Sequence, residues 1–136
     1  MALDSFLAGW SPRLLSVLRI IAGFLFIAHG AQKLFGFLAP DTWQAPATLS
    51  MIWVAGALEL LGGLLLLVGL FTRPVAFILS GLMAVAYFMA HAPQGFWPLQ
   101  NKGELAVLYC FVFLYLAAAG PGPWSVDYCL SRGRRS

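Results

Sequence analysis

Four long apolar runs, separated by short polar stretches, form the main pattern along the chain. Apolar residues are continuous within each run rather than alternating, so the runs predict helices and not strands. A helix needs roughly 20 residues to cross the ~30 Å hydrocarbon core of a bilayer. The pattern therefore predicts an all-α protein whose single domain, residues 1–136, is a four-helix up-and-down membrane bundle. The four spans cover about residues 14–38, 49–70, 74–92 and 103–119.

Proline, glycine and polar residues mark the breaks between the runs. The stretch "APDTWQAPAT" (39–48) separates the first two runs, and "APQGFWPLQNK" (92–102) separates the last two. The tight turn "FTRP" (71–74) places Pro74 in the first turn of a helix, where a missing N–H is harmless. The stretch "GPGPW" (120–124) ends the fourth run because proline interrupts the helical hydrogen bonds. Short connections make sequential helices antiparallel neighbours.

The composition indicates a bilayer as the surrounding solvent. Hydrophobic residues make up 61% of the chain and charged residues 10%, against about 25% charged residues in soluble domains. A chain of 136 residues is too short to bury so much apolar surface in one aqueous core. The net charge of +3 is too small to predict a nucleic-acid partner, and two cysteines outside any CxxC pair predict no disulfide framework. The first apolar run exceeds the ~7–15 residues of a signal-peptide core, so we expect it to be retained.

The distribution of Lys and Arg predicts how the bundle lies in the membrane. Lys33 and Lys102 fall near one set of helix ends, whereas six arginines fall near the other set. Because cytoplasmic ends carry the excess of Lys and Arg, both termini and the 71–74 turn should be cytoplasmic. The 39–48 and 93–102 loops should face outward. The six arginines are Arg13, Arg19, Arg73, Arg132, Arg134 and Arg135.

Polar residues from all four runs fall in the predicted outer half of the bundle. His29 and Lys33 are four positions apart and share a helix face, while Glu59 is the only acid deep within a run. A charge at the centre of a membrane helix costs on the order of 2.5–3.5 kcal/mol, so these groups should face inward and pair. We expect Glu59 to pair with His29, Lys33 or both. Glu104 should pair with His91 or Lys102 in a shallower layer.

Ionisable residues inside a membrane mark candidate functional sites. We assign His29 and Glu59 as candidate catalytic residues that handle protons, since imidazole titrates near neutral pH. The candidate ligand-binding residues are Lys33, Gln32, His91, Asn101 and Glu104. The opposing interpretation is that one ion pair fixes the register of the bundle and does nothing else. His29, Glu59 and His91 have the ligand types of a metal site, but no local spacing supports one, so no metal is predicted.

Three further residues are assigned structural roles. Arg19 lies toward the inner end of the first run, where it should snorkel or cap a neighbouring helix. Gly56 and Gly63 are seven positions apart and form part of a stripe of small residues that lets helices approach closely. Cys110 lies in mid-membrane, where a low dielectric disfavours its thiolate, so it is not assigned as a nucleophile.

Three segments of the sequence resemble the DoxX family of small bacterial membrane proteins over about residues 13–128. The segments are "LRIIAGFLFIAHGAQKLFGF", "GALELLGGLLLLVGLFTRP" and "NKGELAVLYCFVFLYLAAAGPGPWSVD". Shared features are Arg19, Gly30 with Lys33, Glu59 with the glycines after it, the 101–104 helix start, and the GPG break before Ser125 and Asp127. The resemblance implies a multi-pass four-helix protein of the bacterial inner (cytoplasmic) membrane.

Members of the family are generally described as oxidoreductases, and the wider group includes a subunit of thiosulfate:quinone oxidoreductase. The resemblance thus implies a membrane subunit that binds a quinone or similar small molecule in the outer half of the bundle. The chain has no flavin, haem or nicotinamide motif, so a bound quinone or a partner redox protein must carry the electrons. One alternative is a small-solute transporter or channel acting as a homo-oligomer. Another is a membrane scaffold or assembly protein whose polar cluster is structural.

Overall fold

The computed structural model describes residues 2–133, and every regular element in that range is helical. This confirms the predicted all-α class. Between α3 and α4 the chain forms a π-helical turn, Tyr87–His91, and a 3₁₀ turn, Ala92–Gln94. Arg134 and Arg135, which contributed to the predicted orientation, lie outside the described residues. The helices are α1 Ala2–Phe35, α2 Met51–Val68, α3 Thr72–Ala86, α4 Pro98–Asn101, α5 Glu104–Ala119 and α6 Val126–Gly133.

The helices present apolar side chains outward and keep several polar ones inside, as in a membrane bundle. Three stretches are long and apolar enough to cross a bilayer: Leu3–Phe35, Met51–Val68 and Thr72–Gln94. Helix α5 is apolar but shorter, at 16 residues. Large apolar side chains such as Phe24, Leu61, Phe77 and Phe111 are all exposed. This surface is suited to contact with lipid, in agreement with the predicted helical membrane bundle.

Helix α1 is longer than its apolar run. It begins at Ala2, twelve residues before the start of the predicted span, and continues through Pro12. Hydropathy locates the part of a helix that lies in hydrocarbon, whereas the helix itself ends where its hydrogen bonds end. At the other end Gly36 adopts φ +70° and its N–H bonds to the carbonyl of Gln32, so the helix stops at Phe35.

Helices α1 and α2 form a close antiparallel pair through glycines. A Cβ added to Gly30 would lie 2.5 Å from the backbone nitrogen of Leu60, and one on Gly63 would lie 2.8 Å from the carbonyl oxygen of Gly23. A Cβ on Gly56 would lie 3.0 Å from the Cβ of Lys33. Because glycine lets two helix backbones touch, the pair has a fixed register. The two predicted structural glycines, Gly56 and Gly63, both lie at this contact.

Helices α3 and α5 form a second pair, and the core lies between the two pairs. Ser80 on α3 donates a 2.8 Å hydrogen bond to the carbonyl of Cys110 on α5. Phe26 of α1 packs edge-on against Phe113 of α5, with ring centroids 4.5 Å apart. Leu66 of α2 is fully buried in the same core. These contacts bring the middle of α1 close to α5, where the candidate site lies.

Candidate functional site

Lys33 and Glu59 form an ion pair between α1 and α2, through Nζ and Oε1. The Glu59 side chain is only 2% exposed, whereas that of Lys33 is 36% exposed. The predicted pairing of Glu59 with Lys33 is therefore present, while His29 makes no ion pair with Glu59. The other carboxylate oxygen, Oε2, is buried and has no hydrogen-bond partner. A buried carboxylate oxygen without a donor is costly, so this atom marks a position where a donor would be stabilising.

The glycine contact explains which residue of α1 reaches Glu59. Since Gly30 packs on the backbone of Leu60, the face of α1 that carries Gly30 is turned toward α2. Lys33 is one turn further along, and its Cβ lies over Gly56. Its flexible stem then carries the ammonium to Glu59.

A cavity of about 140 Å³ lies beside the ion pair, and we call it the Glu59 cavity. Residues from all four predicted spans line it, and they include four ionisable groups that the sequence had placed in the outer half: His29, Lys33, Glu59 and His91. The remaining lining residues are Phe26, Met83, Ala86, Leu105, Ala106 and Tyr109. The cavity thus combines an apolar wall with a few convergent polar groups, the usual character of a small-molecule site.

His29 faces α5 rather than α2. Its ring lies edge-on to the rings of Phe26 and Tyr109, with centroids 6.1 Å and 6.5 Å away. The side chain is exposed at the edge of the bundle. His29 is therefore placed at the rim of the Glu59 cavity, where it can contact a ligand without bonding to Glu59.

His91 enters the cavity from the π-helical turn at the end of α3. Its Nδ1 lies 3.0 Å from the carbonyl oxygen of Asn101, and its ring stacks on Tyr87 with centroids 6.4 Å apart. A neutral imidazole in this geometry carries its proton on Nδ1, which leaves Nε2 as an acceptor. The wide π turn thus orients a histidine whose second nitrogen is available for a ligand.

Asn101 is 2% exposed, and its side-chain amide is committed to the protein. Nδ2 donates to the carbonyl of Gly95 at 2.8 Å and to the hydroxyl of Tyr87 at 3.3 Å. Oδ1 accepts from the backbone N–H of Gly103 at 2.8 Å. Asn101 therefore closes the loop before α5 and, through its own carbonyl, orients His91. Asn101 does not line the Glu59 cavity, and its predicted contact with a ligand stays a prediction.

Two predicted ligand residues lie away from the Glu59 cavity. Gln32 donates from Nε2 to the carbonyl of Leu38 at 3.2 Å and faces the connection between α1 and α2. Glu104 is exposed on a different face of α5, beside Leu108 and Phe111. The expected ion pair of Glu104 with His91 or Lys102 is absent in residues 2–133. This expectation was wrong because α5 turns Ala106 and Tyr109 toward the cavity, which directs Glu104 outward.

Tyr109 and Phe26 are site residues that the sequence interpretation did not single out. Phe26 lies three positions before His29, on the same helix face, and this spacing could have identified it. Tyr109 belongs to the run "YCFVFLY", which places aromatic residues on all faces of α5. Periodicity therefore gave no indication of which aromatic residue points inward.

The opposite end of the bundle is closed by Arg19, which is fully buried. Its guanidinium donates to the carbonyls of Leu66 and Leu67 at the end of α2, and to those of Pro121 and Trp124 after α5. Arg19 thus caps two chain ends at once, one of the two roles expected for it.

No group of His, Cys, Asp or Glu within residues 2–133 is arranged to hold a metal ion.

Helix α6 adds a second clamp at this end. Both oxygens of Asp127 accept backbone N–H groups at the start of α3, from Phe71 at 2.9 Å and from Thr72 at 2.8 Å. A carboxylate at a helix N-terminus satisfies unpaired N–H donors and opposes the helix dipole. The GPG break and the residues after it therefore join α5 to the start of α3.

The fold and the buried polar residues define the class: a helix-bundle membrane protein. Within that class the chain belongs to the DoxX family, whose model matches residues 14–92, more than half of the chain. No solved structure matches the chain significantly.

Relatives from several bacteria match over most of the chain. A Haemophilus influenzae protein named "Uncharacterized protein" is 44% identical and covers 87% of this chain and 91% of its own. The "Inner membrane protein YqjF" of Escherichia coli is 30% identical over 85% of this chain and 91% of its own. The "Putative oxidoreductase CatD" of Bacillus subtilis is 28% identical over 88% of this chain and 89% of its own.

Proposed function

We propose that this protein is the membrane subunit of an oxidoreductase system and binds the ring of a quinone–hydroquinone couple in the Glu59 cavity. Its place would be the bacterial inner membrane, with the cavity in the outer half of the bundle. The observation that carries this proposal is the buried Glu59 carboxylate, with one oxygen paired to Lys33 and the other unpartnered, beside a ring-lined cavity.

The free oxygen of Glu59 favours a ligand that donates a hydrogen bond. A hydroquinone hydroxyl would supply that donor, whereas a quinone carbonyl would instead need a donor such as the Lys33 ammonium. Nε2 of His91 offers a second acceptor within the same cavity. The ring would lie against Phe26 and Tyr109, since aromatic rings pack favourably edge-on or offset.

The size of the Glu59 cavity limits what it can hold. At about 140 Å³ it is smaller than the roughly 300–1,000 Å³ typical of drug-sized ligand sites. A single ring fits this limit better than an extended molecule. Because His29 is exposed at the rim, an apolar tail attached to the ring could remain in lipid.

Electrons would pass to or from a partner redox protein, while this chain handles protons. Oxidation of a hydroquinone releases two electrons and two protons, and reduction of a quinone takes up the same. Glu59 is suited to accept a proton from a ring hydroxyl, and His91 or His29 the other, since the unprotonated nitrogen of a neutral imidazole is a proton acceptor. The name of the Bacillus subtilis relative supports an oxidoreductase role, and that of the Escherichia coli relative supports the inner membrane.

Thermal unfolding of the purified protein with a short-chain hydroquinone tests the proposal. A ligand present at 100 times its dissociation constant should stabilise the folded state by about 2.7 kcal/mol. The stabilisation should be lost in Glu59→Gln and retained in Glu104→Gln, which removes an exposed acid outside the cavity. Equal stabilisation in both variants, or none in the wild-type protein, would remove the proposal.

A further inference from the structure

We propose that the protein exchanges protons between the Glu59 cavity and the outer aqueous phase through a second pocket, with Lys33 as the gate. This second pocket, which we call the loop pocket, has a volume of about 320 Å³. It lies between the end of α1, the 39–46 loop and the start of α2. The inference rests on the proposed function for its purpose, but the route can be tested without any ligand.

Lys33 is the residue that the two cavities share. Its side chain is 36% exposed, whereas the Glu59 carboxylate to which it bonds is 2% exposed. The other polar side chains of the loop pocket are Gln32 and Gln44, which carry no charge. The Lys33 ammonium is thus placed between a region open to water and a buried carboxylate.

The 39–46 loop beside the loop pocket is held in place by defined contacts. Gly36 adopts φ +70°, and a Cβ on it would lie 2.8 Å from the Trp43 ring. Trp43 therefore packs directly on the end of α1, and its backbone N–H bonds to the carbonyl of Pro40 at 2.9 Å. These contacts maintain a defined pocket beside Lys33.

The path toward the opposite end of the bundle is closed. Leu66, Phe113 and Leu116 are fully buried below the Glu59 cavity. The backbones of α1 and α2 touch at Gly23 and Gly63, which leaves no space for water between these helices. These contacts leave no route for proton exchange with water toward that end.

The proposed step follows from the Lys33–Glu59 pair. As the partner redox protein withdraws electrons from the bound hydroquinone, one ring hydroxyl gives its proton to Oε2 of Glu59, and the carboxyl becomes neutral. Lys33 then loses its counter-charge, and its flexible stem moves the ammonium into the loop pocket beside Gln32 and Gln44. Water entering from the loop pocket takes the proton, and the carboxylate pairs with Lys33 again. The other titratable groups that line the cavity are His29 on α1, His91 on the π turn and Tyr109 on α5.

Thiol labelling from each side of the membrane tests this route. In a protein with Cys110→Ala and Cys129→Ala, the cavity-wall variant Ala86→Cys is treated with a membrane-impermeant cationic thiosulfonate. With Lys33→Ala added, labelling from the loop side should be about tenfold faster than with Lys33 present. In the same background Gln44→Cys marks the loop side, and a Cys110→Ala protein that retains the exposed Cys129 marks the opposite side. Met83→Cys serves as a second cavity reporter if Ala86→Cys does not fold.

The two outcomes separate the route from the proposed function. Labelling of the cavity reporter from the Cys129 side, or none from the loop side while Gln44→Cys reacts, would overturn the route. Labelling requires no ring ligand, so a failure of hydroquinone binding would leave this result unchanged. The proton route and the ring ligand are therefore tested by separate measurements.

Discussion

At the scale of single residues, the buried carboxylate of Glu59 is the most informative group in the bundle. A carboxylate that is 2% exposed requires a partner, and Lys33 supplies one for a single oxygen. The second oxygen stays without a donor, although a purely structural ion pair could have been built with both oxygens satisfied. This asymmetry supports the proposed ligand site over a contact that only fixes helix register.

The Lys33–Glu59 pair should show strong coupling in a double-mutant cycle. Lys33→Met leaves the buried carboxylate without its partner and should destabilise the protein by about 1.5–3 kcal/mol. Adding Glu59→Gln removes the unpaired charge, so the double variant should be more stable than Lys33→Met alone. Thermal unfolding in detergent micelles measures this difference. Strictly additive effects of the two substitutions would contradict the pairing.

Arg19 should tolerate no conservative replacement. Its planar guanidinium donates to four carbonyls on two chain segments, a pattern that a lysine ammonium cannot reproduce. We expect Arg19→Lys to lower the free energy of unfolding by roughly 1–3 kcal/mol. Arg13→Lys is the matched control, because Arg13 is exposed, donates a hydrogen bond to the carbonyl of Gly9 and lies over the Trp10 ring. Similar losses in the two variants would show that Arg19 is not a structural cap.

The sequence could predict the Lys33–Glu59 contact but not the direction of His29. Glu59 is the only acid deep in a run, so its partner was expected to be His29, which matches its depth best, or Lys33, which reaches it by a flexible stem. The rotation of α1 about its axis is set by the contact of Gly30 with Leu60, which is a tertiary feature. That rotation brings Lys33 to Glu59 and turns His29 toward Tyr109, a choice that depth alone could not make.

At the scale of helices, the close pairing of α1 and α2 positions the site. The two backbones touch at Gly23 and Gly30 on one helix and at Gly56 and Gly63 on the other. In lipid such packing takes over the role that apolar burial has in water. A small separation of α1 and α2 would move Lys33 away from Glu59, so stability and site geometry are coupled here.

Gly30→Ala should separate the two helices. The new Cβ would lie 2.5 Å from the nitrogen of Leu60, and overpacking of this kind costs about 1–3 kcal/mol. Gly81→Ala on α3 is the matched control, since its Cβ meets nothing within 4 Å. Because alanine is favoured over glycine in a helix by up to about 1 kcal/mol, the control should be neutral or slightly stabilised. Equal thermal stability of the two variants would contradict the close α1–α2 contact.

The ends of helices were harder to predict than their apolar middles. The GPG break after α5 and the 71–74 turn could be located because proline and glycine signal them directly. The π turn Tyr87–His91 has no such signal, although it sets the direction of His91. It depends on the bond from the N–H of Ala92 to the carbonyl of Tyr87 and on the loop closed by Asn101. Neither contact follows from residue type or hydropathy alone.

At the scale of the whole molecule, the two ends of the bundle differ in character. One end is closed by backbone hydrogen bonds from Arg19 and by the cap from Asp127. The other end holds the Glu59 cavity and the loop pocket. The composition predicted a membrane bundle because a chain with so high an apolar content is stable in a bilayer rather than in water. Only the packing shows which end of the bundle is closed.

The excess of Lys and Arg at one end of the bundle predicts which end faces the cytoplasm. Reporter enzymes that are active only outside the cytoplasm should be inactive when fused after residue 133. They should be active when fused in the 39–48 loop. Fluorescent-protein fusions, which mature in the cytoplasm, should give the reverse pattern. If both positions report the same side, the loop pocket cannot open outward as proposed.

The most direct measurement of the central claim is infrared difference spectroscopy of the purified protein with a short-chain hydroquinone. Binding should shift the carboxylate stretching signal as the free oxygen of Glu59 accepts a hydrogen bond from the ring hydroxyl. That shift should be absent in Glu59→Gln and unchanged in Glu104→Gln. A carboxylate shift that survives Glu59→Gln, or saturable binding with no carboxylate shift in the wild-type protein, would contradict the assignment of Glu59 as the group that binds the ring hydroxyl.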